Sequence, residues 1–417
     1  MRIVVIGGGG REHALAWALS KEHEVVVTPG NPGIAQCGEI LSRSALEIDA
    51  DLFVIGPEAP LVDGLGDALR AQGKAVFGPS KEGARIEGSK AFMKDLLRSA
   101  RVPTADYTVI DDLAEGVRYV ESHDGPYVIK TDGLAAGKGV LVTPSREEAL
   151  EDLRAKLGGE SFGSAGKTVV IEEAMAGPEI SLLAVTDGYS AVALPVATDY
   201  KRAYDGDAGP NTGGMGAHTP VPWAPSDVVA EIMTDSVRPL LLALRRRGIE
   251  YRGVLYAGMM LTPKGPKVVE FNIRFGDPEA QAVLPMISSG LGELLLGAAR
   301  GRLDAEPVIR AGACLVVALT SRGYPGSVAP AERITGLEAA EAIDGVTVFH
   351  SGTTLAEGSG ELVSAGGRVL TVSARGDTLL DARERAYRAV NEIHFNGAHY
   401  RRDIGLRALS TSTDTGV

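Results

Sequence analysis

Short apolar segments alternate with glycine turns and amphipathic stretches over the first eighty residues, and this alternation restricts the fold more than any other feature. An apolar segment, a run of four glycines at 7–10 and an amphipathic stretch at 11–23 begin the chain. The segments predicted as strands are 3–6, 24–28, 52–55 and 75–77. Short apolar strands separated by helices are typical of a parallel sheet with helices on both faces. The sequence therefore predicts an N-terminal, doubly wound α/β domain at residues 1–89.

The pattern changes after the first hundred residues, where antiparallel hairpins are predicted. Strands at 127–130 and 140–142 flank a glycine-rich loop, and further strand pairs follow. We expect a central α+β domain at 90–300, a small C-terminal α+β domain at 310–410 and a flexible tail at 411–417. The chain is therefore predicted to combine α/β and α+β domains.

The composition excludes several classes of protein. The net charge of −12 at pH 7 argues against broad nucleic-acid binding, because phosphates repel an acidic surface. Two cysteines, Cys37 and Cys314, can form neither a disulfide framework nor a four-ligand zinc site, and they suit a reducing cytoplasm. No stretch of about 18 apolar residues occurs, so we expect no membrane span. Glycine makes up 53 of the 417 residues, which indicates tight turns or backbone that approaches a ligand closely.

The glycines at 7–10 follow a predicted strand and begin a predicted helix, an arrangement that binds anions. Exposed backbone N–H groups at a helix N-terminus attract phosphate, and the helix dipole strengthens the attraction. A dinucleotide fold would use the same position, but Glu12 replaces the third glycine of its fingerprint and no acidic residue ends the second strand. Phosphate binding is therefore favoured over nicotinamide or flavin binding, and a purely structural turn is the third alternative.

A second glycine-rich segment, at 130–140, resembles a P-loop only superficially. Gly139 stands where a P-loop needs Ser or Thr for Mg²⁺, and a strand follows instead of a helix. The segment is predicted to be a hairpin whose tip covers phosphates, with Lys130 and Lys138 supplying positive charge. A solvated hairpin tip is the alternative, but a lysine that ends an apolar strand needs an anionic partner.

The segment 268–279 places polar and apolar side chains on alternate faces of a predicted strand. Glu270, Asn272 and Arg274 share one face, and phenylalanine and isoleucine occupy the other. A carboxylate and an amide oxygen side by side are hard ligands that suit Mg²⁺ together with phosphate and water. An arginine two residues further along would stabilise charge on a phosphoryl group in transfer. An exposed strand face without a ligand is the alternative.

Two more segments have the composition of ligand-binding connections. The strand at 168–173 ends in carboxylates and passes into a connector whose backbone could read an adenine edge, with Glu179 accepting from ribose hydroxyls. A charged strand end without a ligand is the alternative there. The loop at 205–216 contains five glycines and follows Lys201 and Arg202, so we expect an anionic ligand nearby.

No nucleophile elbow, cysteine–histidine pair or HExxH motif occurs, so covalent catalysis through a side chain is not indicated.

Together these motifs resemble one family closely, the phosphoribosylamine–glycine ligases (glycinamide ribonucleotide synthetases) of the ATP-grasp superfamily. The resemblance runs through nearly the whole chain and is carried by long, ordered motifs. The motifs are GGGGREHALAWAL at 7–19, GNPG at 30–33, GPEAPLVDG at 56–64, FGPS at 77–80, SKAFMK at 89–94, KTDGLAAGKGV at 130–140, DGDAGPNTGGMGA at 205–217, EFNIRFGDPEAQ at 270–281, GYP at 323–325, FHSGT at 349–353, GGRVLTVSARGDTL at 366–379 and YRRDIG at 400–405.

The resemblance implies a reaction of de novo purine biosynthesis in which ATP, glycine and 5-phosphoribosylamine give ADP, phosphate and glycinamide ribonucleotide. The family phosphorylates the glycine carboxylate, and the substrate amine then attacks the acyl phosphate. No enzyme nucleophile is needed, which agrees with the motifs present. Positioning and charge neutralisation are then the tasks left to the protein.

Carried over by position, the resemblance implies a role for each matching residue. The residues implied in ATP binding are Lys90, Lys130, Gly133, Gly137, Lys138, Glu172, Met175 and Glu179, with Glu172 and Met175 acting through backbone groups. Glu270 and Asn272 are the implied ligands of Mg²⁺ or Mn²⁺, and Arg274 and Lys138 are the implied catalytic residues. The residues implied in phosphoribosylamine binding are Gly9, Asn31, Pro57, Glu58, Asn211, Thr212 and Gly213, with Asp277 near the substrate end. Tyr256 stands where many ATP-grasp enzymes place a first metal carboxylate, which leaves Glu270 as the one implied carboxylate ligand.

We expect a monofunctional, cytoplasmic ligase that acts as a monomer or small homo-oligomer, without nucleic acid or membrane as a partner. Its unstable amine substrate could be handed over transiently by the upstream amidotransferase. One alternative is another ATP-grasp ligase that joins a different carboxylate and amine. The other is a dinucleotide-dependent oxidoreductase, which rests only on the N-terminal glycines.

Replacing Lys138 by methionine is expected to raise the ATP requirement or slow turnover, because the hairpin tip would lose the charge that faces the phosphates. Losing a hydrogen bond to a charged group costs about 1.5–3 kcal/mol, which corresponds to a decrease of roughly tenfold or more in ATP affinity or turnover. Steady-state kinetics against ATP measure the effect, and a thermal melt verifies folding. Unchanged kinetics would show that the tip is not a phosphate lid.

Overall fold

The computed structural model describes residues 1–133, 139–158 and 167–413. Gly137 and Lys138, two residues of the predicted lid, lie outside the described residues. Within the described ranges no helix combines the length and the apolar character that a membrane span requires.

The N-terminal part is a parallel sheet covered on both faces. Its elements are β1 (Arg2–Gly7), α1 (Gly10–Leu19), β2 (Glu24–Pro29), β3 (Glu39–Ile40), β4 (Leu52–Ile55), α2 (Glu58–Asp63), α3 (Leu65–Ala71), β5 (Val76–Phe77) and α4 (Lys81–Gly88), with 3₁₀ turns at Pro32–Gln36 and Ala45–Glu47. The strand order is β3-β2-β1-β4-β5, and all neighbours pair in parallel. Along β1, Ile3 and Val5 enter one core, and Val4 and Ile6 enter another. The prediction of a doubly wound sheet is confirmed.

One predicted helix is interrupted. The segment 61–72 is predicted as a single helix, but α2 and α3 meet at Gly64, which has a φ of 92°. This left-handed backbone conformation cannot continue a right-handed helix, and glycine adopts it without the steric cost that other residues meet.

The central part contains two four-stranded antiparallel sheets. Its elements are α5 (Lys90–Ala100), β6 (Tyr107–Ile110), α6 (Leu113–Ser122), β7 (Tyr127–Thr131), β8 (Val140–Thr143), α7 (Arg146–Leu157), β9 (Val169–Glu173), β10 (Glu179–Thr186), β11 (Ala191–Ala193), β12 (Thr198–Asp199), β13 (Arg202–Tyr204), β14 (Ala208–Asn211), β15 (Gly216–Thr219), α8 (Ser226–Ile232), α9 (Arg238–Arg246), β16 (Gly253–Thr262), β17 (Gly265–Asn272), α10 (Glu279–Val283), β18 (Ile287–Ser289) and α11 (Leu291–Ala299). The sheets have the orders β6-β9-β7-β8 and β11-β10-β16-β17. A π-helical turn at Met233–Val237 joins α8 to α9.

The C-terminal part is built on a sheet that also takes strands from the central segment. Its own elements are β19 (Val308–Ile309), β20 (Ala313–Thr320), α12 (Leu337–Glu341), β21 (Val346–His350), β22 (Thr353–Leu355), β23 (Leu362–Ser364), β24 (Arg368–Gly376), α13 (Leu379–Glu392) and α14 (Leu406–Thr413). The sheet order is β12-β15-β20-β24-β21, so β12 and β15 cross the predicted boundary between the second and third domains. The boundaries themselves stay predictions, and α14 extends three residues into the predicted tail.

Buried histidines join the N-terminal and C-terminal parts. The backbone N–H of His350 donates to His13 Nδ1 at 2.9 Å, and Asn31 Nδ2 donates to the carbonyl of His350 at 2.9 Å. Burial, reinforced by His350, lowers the pKa of His13 to about 3, and burial lowers the pKa of His350 to about 4. Burial likewise lowers the pKa of His218, on β15, to about 4. All three imidazoles are therefore neutral at physiological pH.

The free energy of unfolding is expected to fall as the pH drops below about 6.5, the pKa of an unfolded histidine. Above that pH the three histidines are neutral in both states, so their stabilising effect is fully present. Below it each unfolded histidine binds a proton that the folded one does not, which costs about 1.4 kcal/mol per pH unit and histidine. Urea unfolding at several pH values measures the slope. A His13→Asn variant should show a smaller slope, and an unchanged slope would contradict the role of His13.

Candidate active site

Three lysines from three different elements act electrostatically on the carboxylate of Glu270 on β17. Lys90 begins α5, Lys130 lies on β7, and Lys201 follows β12. Burial raises the pKa of Glu270, but the neighbouring lysines, Lys130 most of all, lower it below its ordinary value. The carboxylate is therefore ionised at neutral pH, and it faces a group of ammonium ions.

The start of α5 is tied to the base of the predicted lid. The sequence predicts a helix at 89–100 that is capped by Ser89. The hydroxyl of Ser89 accepts a backbone N–H of the first helical turn at 3.1 Å, so Ser89 does cap α5. The carboxylate of Asp132, just after β7, accepts from the Ser89 hydroxyl and from a backbone N–H of α5, both at 3.1 Å. Lys90 Nζ donates to the carbonyl of Gly133 at 3.1 Å. These bonds hold Lys90 beside Gly133, at the end of the strand that carries Lys130.

The predicted metal ligands lie side by side at the end of β17. Asn272 Nδ2 donates to Glu270 Oε1 at 3.3 Å. Phe271, Ile273 and Phe275 are buried as predicted, but the strand ends at Asn272, which is itself buried. An ionised carboxylate and an amide oxygen are donors that Mg²⁺ and Mn²⁺ prefer, and the pair therefore fits a divalent cation of this kind.

Arg274 lies beyond the end of β17, although the strand is predicted to continue to residue 275, and it contacts two carboxylates of the N-terminal part. Its Nη2 lies 3.1 Å from Glu87 Oε1, and its Nε lies 3.3 Å from Glu58 Oε2. Arg11 Nη1 lies 3.4 Å from the same Glu58 oxygen. Burial raises the pKa of Glu58, but Arg11 and Arg274 lower it below its ordinary value. These ion pairs hold the segment after β17 against the N-terminal part.

Asp277 lies at a second junction of charges. Arg368 Nη1 lies 3.4 Å from Asp277 Oδ1, and Gln281 Nε2 donates to that oxygen at 2.8 Å. The backbone N–H of Arg11 donates to Oδ2 at 3.4 Å. Burial raises the pKa of Asp277, but Arg368 and Arg11 lower it below its ordinary value. Arg368 also donates to the carbonyl of Gly213 at 2.6 Å, so it connects two residues of the predicted substrate site.

The predicted substrate residues of the N-terminal part lie at turns and helix ends. Gly9 precedes α1, and its N–H donates to Glu12 Oε2 at 2.6 Å; Pro57 precedes α2. Asn31 Nδ2 donates to the carbonyls of Gly8 and His350, both at 2.9 Å. Among the hydrogen bonds of the described residues, none links Asn31 with the segment 211–213.

The segment 211–213 is held between Lys201 and the C-terminal part. Thr212 Oγ1 donates to the carbonyl of Lys201 at 2.8 Å, and the N–H of Gly213 donates to the hydroxyl of Tyr324 at 2.9 Å. Asn211 is exposed and lines a cavity of about 770 Å³ between β8 and the C-terminal part. Further lining residues include Arg202, Tyr204, Arg322, Tyr324 and His399.

The three residues implied at the nucleotide base and ribose lie around the connection from β9 to β10. The carboxylate of Glu172 is buried, and Glu172 Oε1 lies 2.9 Å from Lys130 Nζ. Met175 is half-buried in the connection, and Glu179 is the first residue of β10. Glu179 Oε2 lies 2.7 Å from Lys201 Nζ. Both carboxylates thus compensate lysines of the site, and the roles of all three residues toward adenine and ribose stay predictions.

Several charged residues of the site were not assigned from the sequence. Lys201 Nζ lies 2.7 Å from both Glu179 and Asp199. Its position shortly before the glycine-rich loop at 205–216 was the sequence feature that could have identified it. Glu87 and Arg368 carry no local signal. They come from the end of α4 and the start of β24, and only folding brings them to Arg274 and Asp277.

Two antiparallel sheets with lysines converging on a carboxylate–amide pair at a strand end define an ATP-grasp enzyme. Family models of phosphoribosylglycinamide synthetase match the chain in three consecutive parts. The N domain matches residues 1–87, the ATP-grasp (A) domain matches 88–280, and the C domain matches 314–407. The chain belongs to the phosphoribosylglycinamide synthetase family.

Similar proteins extend over nearly the whole chain. The phosphoribosylamine–glycine ligase of Streptomyces coelicolor is 47% identical over 98% of this chain and 99% of its own length. That of Rhodopirellula baltica is 44% identical over 98% of each chain. The crystal structure of phosphoribosylamine–glycine ligase from Thermotoga maritima has a TM-score of 0.87 and 37% identity, covering 97% of this chain and 100% of its own. The confirmed resemblance favours a ligase over a dinucleotide-dependent oxidoreductase.

Glu270→Gln is expected to lower metal-dependent turnover by about 100-fold or more, because a neutral amide replaces the ionised carboxylate that faces the lysines. Initial rates at several Mg²⁺ and Mn²⁺ concentrations measure the loss, and circular dichroism verifies the fold. Glu361→Gln is the matched control, since it removes a carboxylate that pairs with Arg333 in the C-terminal part. Retained activity in Glu270→Gln would refute the metal role.

Proposed function

We propose that the protein ligates glycine to 5-phosphoribosylamine in de novo purine biosynthesis, with glycyl phosphate as the intermediate and glycinamide ribonucleotide, ADP and phosphate as products. The observation that carries this proposal is that Lys90, Lys130 and Lys201 act on the ionised Glu270, with Lys130 Nζ donating to the carbonyl of the adjacent Val269 at 3.3 Å, in a chain of the phosphoribosylglycinamide synthetase family. The names of full-length relatives support the same reaction.

ATP is proposed to lie where the two antiparallel sheets meet, with its phosphates at Lys90 and Lys130. The adenine would lie along the connection after β9, where backbone groups of Glu172 and Met175 can read its edge. Glu179 would accept from the ribose. Fixed ammonium groups stabilise the charge that phosphoryl transfer spreads over the phosphate oxygens, which is the main contribution that a protein makes to such a step.

Glu270 and Asn272 are proposed to hold Mg²⁺ or Mn²⁺. They offer an ionised carboxylate and an amide oxygen from adjacent positions on one strand face. The phosphates of the nucleotide would be the other anionic ligands of the ion. When bound, the ion would neutralise phosphate charge and orient the nucleotide.

Arg274 is proposed to contact the phosphoryl group that moves to the glycine carboxylate. Burial lowers the pKa of Arg274, but Glu87 and Glu58 raise it above its ordinary value, so the guanidinium stays charged. The guanidinium presents several donors in one plane, which suits three phosphoryl oxygens. Lys138 would add charge from the opposite side when the lid covers the phosphates.

The amine of 5-phosphoribosylamine would then attack the carbonyl carbon of glycyl phosphate and form a C–N bond. The bond from that carbon to the phosphate oxygen would break, phosphate would leave with the electron pair, and the nitrogen would release a proton. No side-chain nucleophile takes part, so the chain contributes positioning and charge. The residues proposed to hold the amine substrate are Gly9, Asn31, Pro57, Glu58, Asn211, Thr212, Gly213 and Asp277.

The purified protein is expected to release ADP and phosphate in step with glycinamide ribonucleotide only when ATP, glycine and freshly generated 5-phosphoribosylamine are all present. A coupled ADP assay and mass spectrometry of the product measure this, with Glu270→Gln as the inactive control. ADP release with bicarbonate but not glycine would contradict the proposal and point to another ATP-grasp ligase. Tight binding of NADH would instead support the oxidoreductase alternative.

A further inference from the structure

Glu172 lies between two lysines, and only one of them can reach a ligand. Its Oε2 lies 3.0 Å from Lys94 Nζ, and its Oε1 lies 2.9 Å from Lys130 Nζ. The side chain of Lys94 is 0% exposed, so it acts only on other groups of the protein. Lys130 also acts on the carboxylate of Glu270, on the side of the site where phosphate is proposed to bind.

Lys94 is held in place by contacts that do not involve the ligand. It follows Lys90 by one turn of α5, so both side chains lie on the same side of the helix. Lys94 Nζ donates to Thr104 Oγ1 at 2.8 Å, and that hydroxyl donates to the carbonyl of Val268 on β17 at 2.7 Å. The ammonium of Lys94 is thereby directed at Glu172.

The charges of the three groups explain why a second lysine is useful. Lys130 and Glu172 alone would form a neutral pair, and the carboxylate would compete with phosphate for the ammonium of Lys130. With Lys94 present the three groups carry one net positive charge, which only Lys130 can present to a ligand. Burial lowers the pKa of Lys94 to about 8, and Glu172 acts in the opposite direction, so Lys94 is mostly protonated at neutral pH.

We propose that Lys94 is a positioning residue for ATP binding, which neutralises Glu172 and so leaves the charge of Lys130 to the phosphates of the nucleotide. The proposal rests on the proposed ATP-dependent function. It adds an electrostatic role for the side chain of Glu172 to the role proposed for its backbone at adenine.

The test compares ATP affinity in two variants, by calorimetric titration without glycine or the amine. Lys94→Met should raise the Kd for ATP about tenfold or more, because Glu172 then neutralises Lys130. The double variant Lys94→Met/Glu172→Gln restores one net positive charge on Lys130, and its Kd should return to within about threefold of the wild type. If Lys94 has only a structural role, the double variant should bind ATP more weakly than Lys94→Met, because it loses two buried partners.

Lys156→Met is the matched control. Lys156 is also a buried lysine; its Nζ lies 2.6 Å from Asp152 and donates to the carbonyl of Ile129 on β7, the strand that carries Lys130. Its replacement should lower the melting temperature and leave the Kd for ATP unchanged. A weaker ATP affinity in this control would mean that loss of any buried lysine near β7 disturbs the site, which would overturn the specific role of Lys94.

The outcomes separate this proposal from the proposed function. A wild-type protein that forms glycinamide ribonucleotide, with an unchanged Kd in Lys94→Met, overturns the role of Lys94 alone. A double variant that binds ATP more weakly than Lys94→Met overturns it as well. A wild-type protein that binds no ATP overturns both proposals. If Lys94→Met does not fold, the double variant decides, because it also removes the carboxylate that Lys94 compensates: near wild-type affinity supports the proposal, and a tenfold loss overturns it.

Discussion

Compensation of buried charge is the constraint on which the rest of this structure depends. Glu172 is buried between lysines of α5 and β7, and the half-buried Glu179 and Glu270 are drawn to lysines of the segment after β12 and of β7. An ionised group buried without a partner costs several kcal/mol, so these elements can pack only in an arrangement that pairs the charges. The pairing therefore brings the two antiparallel sheets together and at the same time creates a place where phosphates meet ammonium groups.

The same principle connects the three parts of the chain. Arg274 joins the end of β17 to carboxylates of the N-terminal part, and Arg368 joins Asp277 to the loop before β15. Neutral His13 and His350 add a buried contact between the N-terminal and C-terminal parts. The residues proposed to bind the amine substrate therefore come from the N-terminal and central parts, and Arg368 of the C-terminal part holds two of them. Their positions depend on interfaces as much as on the elements that carry them.

Much of the local structure could be predicted because it depends on neighbours in sequence. Alternation along β1 and β17 predicted which side chains enter the cores, and Ser89 predicted the start of α5. Gly64 shows the limit of such reasoning, since apolar spacing alone cannot reveal where the backbone turns left-handed. The sheet that takes in β12 and β15 was also not predicted, because its pairing partners lie about a hundred residues further along the chain.

The sequence by itself determined the fold class, the family and the kinds of residue that could bind phosphate and a divalent cation, because motifs and side-chain periodicity are local properties. Only the tertiary structure decided which charges meet. It placed Lys94 and Lys130 on opposite oxygens of Glu172, and Lys201 between Glu179 and Asp199. The reason is physical: the pairing of buried charges depends on distances of a few ångströms between segments far apart in the chain, and no local pattern encodes those distances.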